Sequence, residues 1–251
     1  MSELDYGHVT EVLTGWLRKK IAAAGAEGAV VGLSGGIDSS VTALLCRRAF
    51  GEDVLGIIMP CYSSEEDRKD ALSLADMVGL EVIEHDLAFI YDDFMDILVE
   101  DKEKKSMAAV NIKPRLRMIV LYYYAAKNNF LVVGTDNWSE LKTGYFTKHG
   151  DGGVDLAPLG RLVKTEVRGL ARYLDVPEEI IKKKPSAGLW EGQTDEEELG
   201  VSYRELDRYI LTGEASPEVK GRVEDLNSRN AHKLKPLPVP NREELTEYND
   251  N

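Results

Sequence analysis

The chain has 251 residues, enough for one large domain or two small ones. Hydrophobic residues at 43% and charged residues at 30% fit a soluble globular protein, and 31 basic against 44 acidic residues give a net charge of −13. That balance argues against a surface built to grip nucleic acid or an anionic membrane, and two cysteines, Cys46 and Cys61, exclude a disulfide framework and a Cys-based zinc site.

The start MSELDYGHVTEVL carries neither the basic nor the apolar part of a signal peptide. Nor does any run reach the roughly 18 apolar residues of a membrane span. The expectation is a single domain over residues 1–251 in a reducing, cytoplasmic compartment.

Residues 9–24 place Val9, Val12, Leu13, Trp16, Leu17 and Ile21 at helical spacing. Residues 29–33 are a short apolar run that reads as a strand, followed by the turn SGGIDSS and a helix over 39–50. A second strand spans 54–59 and is closed by Pro60. Ser63-Ser64-Glu65-Glu66 has the capping-box pattern and opens a helix to about residue 78. A third strand covers 80–83 and ends at His85-Asp86, and residues 92–109 read as a helix with a polar, mobile connection.

A long helix over 112–127 is apolar on much of its circumference (Met118, Ile119, Leu121, Tyr122, Tyr123, Tyr124), as expected of a core or subunit-contact helix. The fourth strand, 130–133, is followed by Gly134-Thr135-Asp136. A loop-rich stretch then leads to a helix over 164–174, a flexible loop over 182–199, a short helix over 203–211 and an extended tail from residue 233. Strands alternating with helices predict an α/β fold: a doubly wound parallel sheet with helices on both faces and its ligand beyond the carboxyl ends of the strands.

The turn Ser34-Gly35-Gly36-Ile37-Asp38-Ser39-Ser40 carries chemistry. Its glycines let backbone approach a ligand, and the N–H groups entering the next helix point at an anion. Asp38 would repel phosphate unless a cation lay between, which argues for magnesium. Neither GxxxxGK[ST] nor GxGxxG occurs, so neither a Walker-type site nor a dinucleotide fingerprint is present.

SGGxDS resembles the phosphate loop of the N-type ATP pyrophosphatases (the PP-loop superfamily), which cleave ATP between the α- and β-phosphates. Three further segments, NIKPR (111–115), VVGTDNWSELKTGYFTKHGDGGVDLAPLGRLVK (132–164) and KKKPSAGLW (182–190), resemble the signatures of the NAD synthetase family. The likeness runs from about residue 28 to 210 and adds His232-Lys233.

That resemblance implies a residue map. Gly32, Leu33, Ser34, Gly35, Gly36, Ile37, Asp38 and Ser39 would hold the ATP phosphates, with Thr135, Lys164 and Ser186 as further ATP contacts. Asp38 and Glu140 would bind magnesium; Arg115, Lys148, Asp155, His232 and Lys233 would bind deamido-NAD. Asp38, Lys164 and Asp155 are the candidate catalytic residues, Asp155 as receiver of ammonia or orienter of nicotinate. Taken singly, Arg115 is better read as a helix-end charge, Lys148 and His149 as loop residues and Asp155 as a turn cap; membership in one string favours the site roles. Ile37 stands where many members have Gln, Pro114 where many have Ala, and Ser186 where Thr is common; no ligating group is lost.

The implied reaction is ATP- and magnesium-dependent amidation of deamido-NAD with ammonia, through an acyl-adenylate, giving NAD, AMP and pyrophosphate. The family resemblance also implies a homodimer with shared active sites, and the length leaves no stretch for a fused glutaminase domain. Loops near 86–110 and 182–199 are expected to close over the ligands and exclude water. A tRNA-thiolating relative is the alternative, disfavoured by the −13 charge and the lack of CxxC. A non-catalytic nucleotide-binding module is the other, disfavoured by the intact Asp38, Glu140 and Lys164.

Overall fold

Strand burial foreshadows strand order in the computed structural model, which describes residues 4–98, 106–186, 188–190, 192–242 and 245. The strands β1 (Gly28–Leu33) and β2 (Val54–Ile58) are almost wholly buried, whereas β3 (Glu81–Glu84) alternates exposed ends with half-buried Val82 and Ile83. The fourth strand, β4, spans Phe130–Val132. Strands covered on both faces read as continuous apolar runs and belong in the middle of a sheet. The observed order is β3-β2-β1-β4, all parallel.

The two sheet faces feed two cores. Ala29, Val31 and Leu33 point to one, with Leu17 and Ile21 of α1 (Tyr6–Ala23), Val41 and Leu45 of α2 (Ile37–Phe50) and Leu74 of α3 (Glu65–Val78). Val30, Leu55 and Ile57 point to the other, with Tyr91 and Met95 of α4 (Ala88–Leu98), Ala109 of α5 (Met107–Val110) and Ala125 of α6 (Ile112–Asn128). Alternation along the pleat therefore places helices on both faces, as the sequence pattern predicts. The polar connection expected after α4 falls partly on residues 99–105, outside the described residues.

From β1 the chain steps to β2 and then β3 on one side, and β4 returns to the other side of β1. The switch point lies between the carboxyl ends of β1 and β4, in register at Val30 and Val132, with the Val133 N–H donating to the Val30 carbonyl. A crevice opens there because the following connections leave toward opposite faces.

Four helices escaped the sequence reading in the second half: α7 (Trp138–Thr143), α12 (Pro217–Leu234) and two short ones between them. From α7 to α12 the chain runs through α8 (Lys164–Tyr173), α9 (Glu178–Lys182), α10 (Asp195–Leu199) and α11 (Tyr203–Thr212). A third core joins Leu199, Tyr203 and Leu206 to Val219 and Val223 of α12. The span 182–199, read as a flexible loop, instead ends in α10, which docks buried Leu199 and stops at left-handed Gly200. The tail expected to be extended from residue 233 begins two residues later, because His232 and Lys233 belong to the last turn of α12.

Candidate active site

Where β1 ends, the chain folds into a self-braced loop. Gly35 has φ +76°, and a Cβ there would sit 2.1 Å from the Asp67 carbonyl oxygen, so only glycine fits. The Gly36 N–H donates to Ser34 Oγ at 3.3 Å, and the Ser39 and Ser40 hydroxyls each donate to the Gly36 carbonyl at 2.9 Å. α2 starts at Ile37, two residues before the predicted start, which puts Asp38 and Ser39 in its first turn. The loop presents backbone N–H groups and a helix N-terminus to the crevice, a setting suited to phosphate.

Asp38 points from that turn to Lys164, the first residue of α8. Lys164 Nζ lies 2.5 Å from Asp38 Oδ2 and 3.1 Å from Glu140 Oε1, and 5.0 Å from the centre of the Tyr203 ring. Asn137 completes the cluster: its Nδ2 donates to Asp38 Oδ1 at 2.9 Å. Asn137 also caps α7, its Oδ1 accepting from the Glu140 N–H while Glu140 Oε2 accepts from the Asn137 N–H. A local capping box thus orients one of the two predicted magnesium ligands.

Charge in this cluster is unbalanced. Burial pushes the Glu140 carboxyl up to about 7, with Asp38 adding to the rise and Lys164 opposing it. Burial also drives Asp136 well above the ordinary carboxylate range, aided by Asp151, Glu140 and Asp38. For Lys164, burial favours the neutral amine, but Asp38 and Glu140 outweigh it and hold the ammonium charged. One lysine therefore answers several acids, and a further cation is favoured here.

Fit to magnesium follows from the donor set. Among the described residues no group of three or more His, Cys, Asp or Glu side chains could enclose a metal. Asp38 and Glu140 supply two hard oxygen ligands beside a phosphate loop, which suits an ion that completes its shell with water and substrate phosphates.

Buried Asp207 of α11 braces this arrangement. Its Oδ1 accepts from Ser139 Oγ at 2.6 Å and its Oδ2 from the Thr165 N–H at 2.7 Å, and Ser139 Oγ in turn accepts from the Lys164 N–H at 3.1 Å. One carboxylate so ties α7 to the start of α8, where Val163 offers no side-chain cap.

Basic residues form the opposite wall. Lys148 Nζ donates to the His232 carbonyl at 3.1 Å, and Lys233 Nζ donates to the Gly144 and Phe146 carbonyls at 2.7 and 2.8 Å. These contacts strap the end of α12 to the TGYF turn, where Gly144 is left-handed and a Cβ would meet Asn230 at 2.2 Å. Arg115 is exposed and reaches the Lys148 carbonyl at 3.4 Å. Arg117, given no role from sequence, is half-buried and donates to the Met59 carbonyl and Ser63 Oγ.

A cavity of about 560 Å³ joins both walls. It is lined by Gly32, Leu33, Ser34, Gly36, Ile37, Asp38, Ser39, Thr135, Glu140 and Lys164 on the phosphate side, Ser186 at its rim, and Arg115, Lys148, His232 and Lys233 opposite. Of the predicted residues, Gly35 and Asp155 alone are not brought to it. Gly35 is turned against Asp67. Asp155 is exposed; its Oδ1 accepts from the Tyr122 hydroxyl of α6 and its Oδ2 from the Val132 N–H. Asp155 thus stands outside this cavity, on the α6 side. Asn137, Arg117, Asp207 and Asp195, which lines the cavity and accepts from the Tyr203 hydroxyl at 3.0 Å, were missed; of these Asn137 had a legible signal, an Asn three residues before Glu140.

The sequence profile of the NAD synthase family matches residues 9–237. The chain belongs to the NAD synthase family. Within it, the chain is 52% identical over 239 residues to an NH3-dependent NAD(+) synthetase of Carboxydothermus hydrogenoformans, covering 94% of this chain and 98% of that protein. Two solved structures are also similar. An NMN synthetase from Francisella tularensis has a TM-score of 0.91 at 39% identity, covering 95% of this chain and 100% of that one. An NH3-dependent NAD synthetase from Campylobacter jejuni has a TM-score of 0.79 at 32% identity over the same shares. Among the described residues no helix is long and apolar enough to cross a membrane.

Proposed function

We propose that the chain amidates deamido-NAD with ammonia, using ATP and magnesium, through an acyl-adenylate, and releases NAD, AMP and pyrophosphate. One observation carries this reading: a phosphate loop, the Asp38–Lys164–Glu140 cluster and a basic wall open into a single cavity. The chain's 52% identity to an NH3-dependent synthetase over nearly the whole of that protein supports ammonia as the direct nitrogen donor.

The loop N–H groups and the N-terminus of α2 would hold the ATP phosphates, and Lys164 would neutralise charge growing on departing pyrophosphate. Asp38 and Glu140 would hold magnesium, which when bound supplies charge stabilisation to the same phosphates. Arg115 and Lys148 suit the anionic groups of a dinucleotide. We assign Asp155 to orienting the nicotinate end from the α6 side, and the cavity walls to limiting the access of water to the adenylate.

The active unit is proposed to be a homodimer. α4 buries Tyr91 and Met95 but leaves Phe89 73% and Ile97 79% exposed, with Ile90 and Phe94 beside them, and α6 exposes Ile119 and Tyr123. Apolar surface of that extent on adjoining helices fits a self-complementary contact with a second copy.

A second reading concerns the substrate alone. The likeness to an NMN synthetase favours a deamido mononucleotide as a competing substrate at the same site. The deciding assay supplies ATP, magnesium and ammonium with either deamido-NAD or the deamido mononucleotide and follows the amide product and AMP. NAD formation with the higher kcat/KM supports the first reading; a higher kcat/KM for the mononucleotide replaces it. No amide from either sinks both.

A further inference from the structure

Lys113 occupies a position that ordinary helix chemistry disfavours. It lies in the first turn of α6, where the helix dipole opposes a positive charge, and it is only 6% exposed. Its ammonium reaches no carboxylate among the described residues, and burial lowers its proton affinity.

What surrounds it is specific. Lys113 Nζ lies 5.5 Å from the ring centres of both Tyr62 and Tyr91, which meet edge to face at 6.1 Å. It donates to one partner, the Leu189 carbonyl, at 2.7 Å. Tyr62 holds its ring there from left-handed backbone, φ 60°, and its hydroxyl donates to Asp92. A cation desolvated between two rings keeps its attraction to them and its donors strong.

Leu189 belongs to the segment that brings Ser186 and Gly188 to the cavity rim. That segment is pinned on either side of Ser186. Upstream, Lys183 pairs with Asp67 and Asp70 of α3. Downstream, the Leu189 N–H donates to Gln193 Oε1, and Gln193 Nε2 to Glu198 Oε2, which also accepts from the Tyr145 hydroxyl. Lys113 ties this run to α6 at Leu189.

We infer that Lys113, cradled by Tyr62 and Tyr91, is a positioning residue that holds Ser186, Gly188 and Leu189 over the nucleotide phosphates through the Leu189 carbonyl. It touches no substrate. Its role rests on the ATP assignment of Ser186 under the proposed function, and its test is arranged so that the two fail separately.

Full-length Lys113→Met keeps most of the side-chain volume and removes the charge and donor; Lys113→Arg keeps both. In the ligand-free protein, chymotryptic cleavage at Leu189-Trp190 is expected to speed up about tenfold in Lys113→Met, the size set by one lost charged hydrogen bond. Lys113→Arg should recover most of the protection. In turnover assays the KM for ATP should rise about tenfold while the KM for ammonium stays unchanged.

Unchanged cleavage in Lys113→Met overturns the inference, as does a fall in kcat with cleavage and the KM for ATP unchanged, which would put Lys113 at the chemistry. Should Lys113→Met not fold, Tyr62→Leu removes one exposed wall of the cradle and must show the same accelerated cleavage. Absence of NAD or mononucleotide synthesis in the unaltered protein refutes the functional reading, while the cleavage result still decides the role of Lys113.

Discussion

Lys164 stands between Asp38 and Glu140, its ammonium 2.5 Å from one carboxylate and 3.1 Å from the other, so the chain's own cation sits between the two oxygens that would ligate magnesium. Under the proposed magnesium assignment, lysine and metal would compete for one pair of ligands. With magnesium held by Asp38 and Glu140, Lys164 would be released to serve the phosphates.

Removing the lysine exposes the competition. Lys164→Met leaves two nearly buried carboxylates facing each other, and breaking such a cluster costs about 3 kcal/mol. Urea unfolding should show that loss in ligand-free protein. Millimolar magnesium should restore much of it in the variant and do little to the unaltered chain without ATP. Equal magnesium effects on both would disprove the competition. Asp38→Ala and Glu140→Ala should each abolish magnesium-dependent pyrophosphate release, and activity in either would refute the ligand assignment.

The Glu140 carboxyl gives the site a pH signature. Burial raises it from 4.5 to about 7, so the folded protein holds that proton more tightly than the unfolded chain. The resulting stability is fully present below about pH 4.5 and is lost as pH rises through 7. Glu140→Gln mimics the protonated form at every pH. The stability of the unaltered protein minus that of Glu140→Gln should therefore fall by on the order of 1–3 kcal/mol from pH 5 to 8. Magnesium with ATP should reverse the slope, because the metal binds the ionised form. A flat difference between the two proteins would contradict the raised carboxyl.

Some of this was readable from residue order and some was not. Val30, Val31, Ile57 and Ile58 announce central strands because burial on both faces leaves no polar position. SGGIDSS announces its loop because tight turning at φ > 0 restricts the residues allowed. By contrast, α12 carries polar side chains on most faces and buries only Val219 and Val223, so its apolar stripe is too thin to register. Without that helix, His232 and Lys233 appear as tail residues rather than as the end of a strapped element. Asp207 and Asn137 act through contacts between α7, α8 and α11 that no local pattern encodes. Asp155 sits within a matched string yet faces Tyr122, since sequence spacing does not say to which side of β4 the following loop turns.

Gly35→Ala tests how closely the loop is packed. Its φ of +76° already disfavours a side chain, and the new methyl would lie 2.1 Å from the Asp67 carbonyl oxygen. Either α3 or the loop must move. A loss of at least ~1–2 kcal/mol in stability is expected, with a larger fractional loss of ATP affinity than of overall fold. Gly213→Ala, also left-handed but with open space around it, serves as the control and should cost only the backbone strain. Equal ATP affinity in the two variants would show that the close approach to Asp67 does not shape the site.

The apolar face on α4 and α6 makes the last prediction. Phe89 and Ile97 are each more than two-thirds exposed, while Tyr91 and Met95 on the same helix are sealed against α6. A helix that buries one side and leaves a second apolar side in water is incompletely partnered. Light scattering at micromolar concentration should give twice the chain mass, and Ile97→Asp with Phe89→Asp should give single chains, because two charges at a self-complementary contact meet their own copies. Asp155 would supply the functional link in such a dimer, since its anchor Tyr122 lies on α6 beside exposed Tyr123. If the second copy completes the site for the nicotinate end, the monomeric variant should lose affinity for the nicotinate substrate by at least about tenfold while ATP binding, assigned to groups of one chain, is kept. A monomeric variant with unchanged KM for both substrates would confine the active site to one chain.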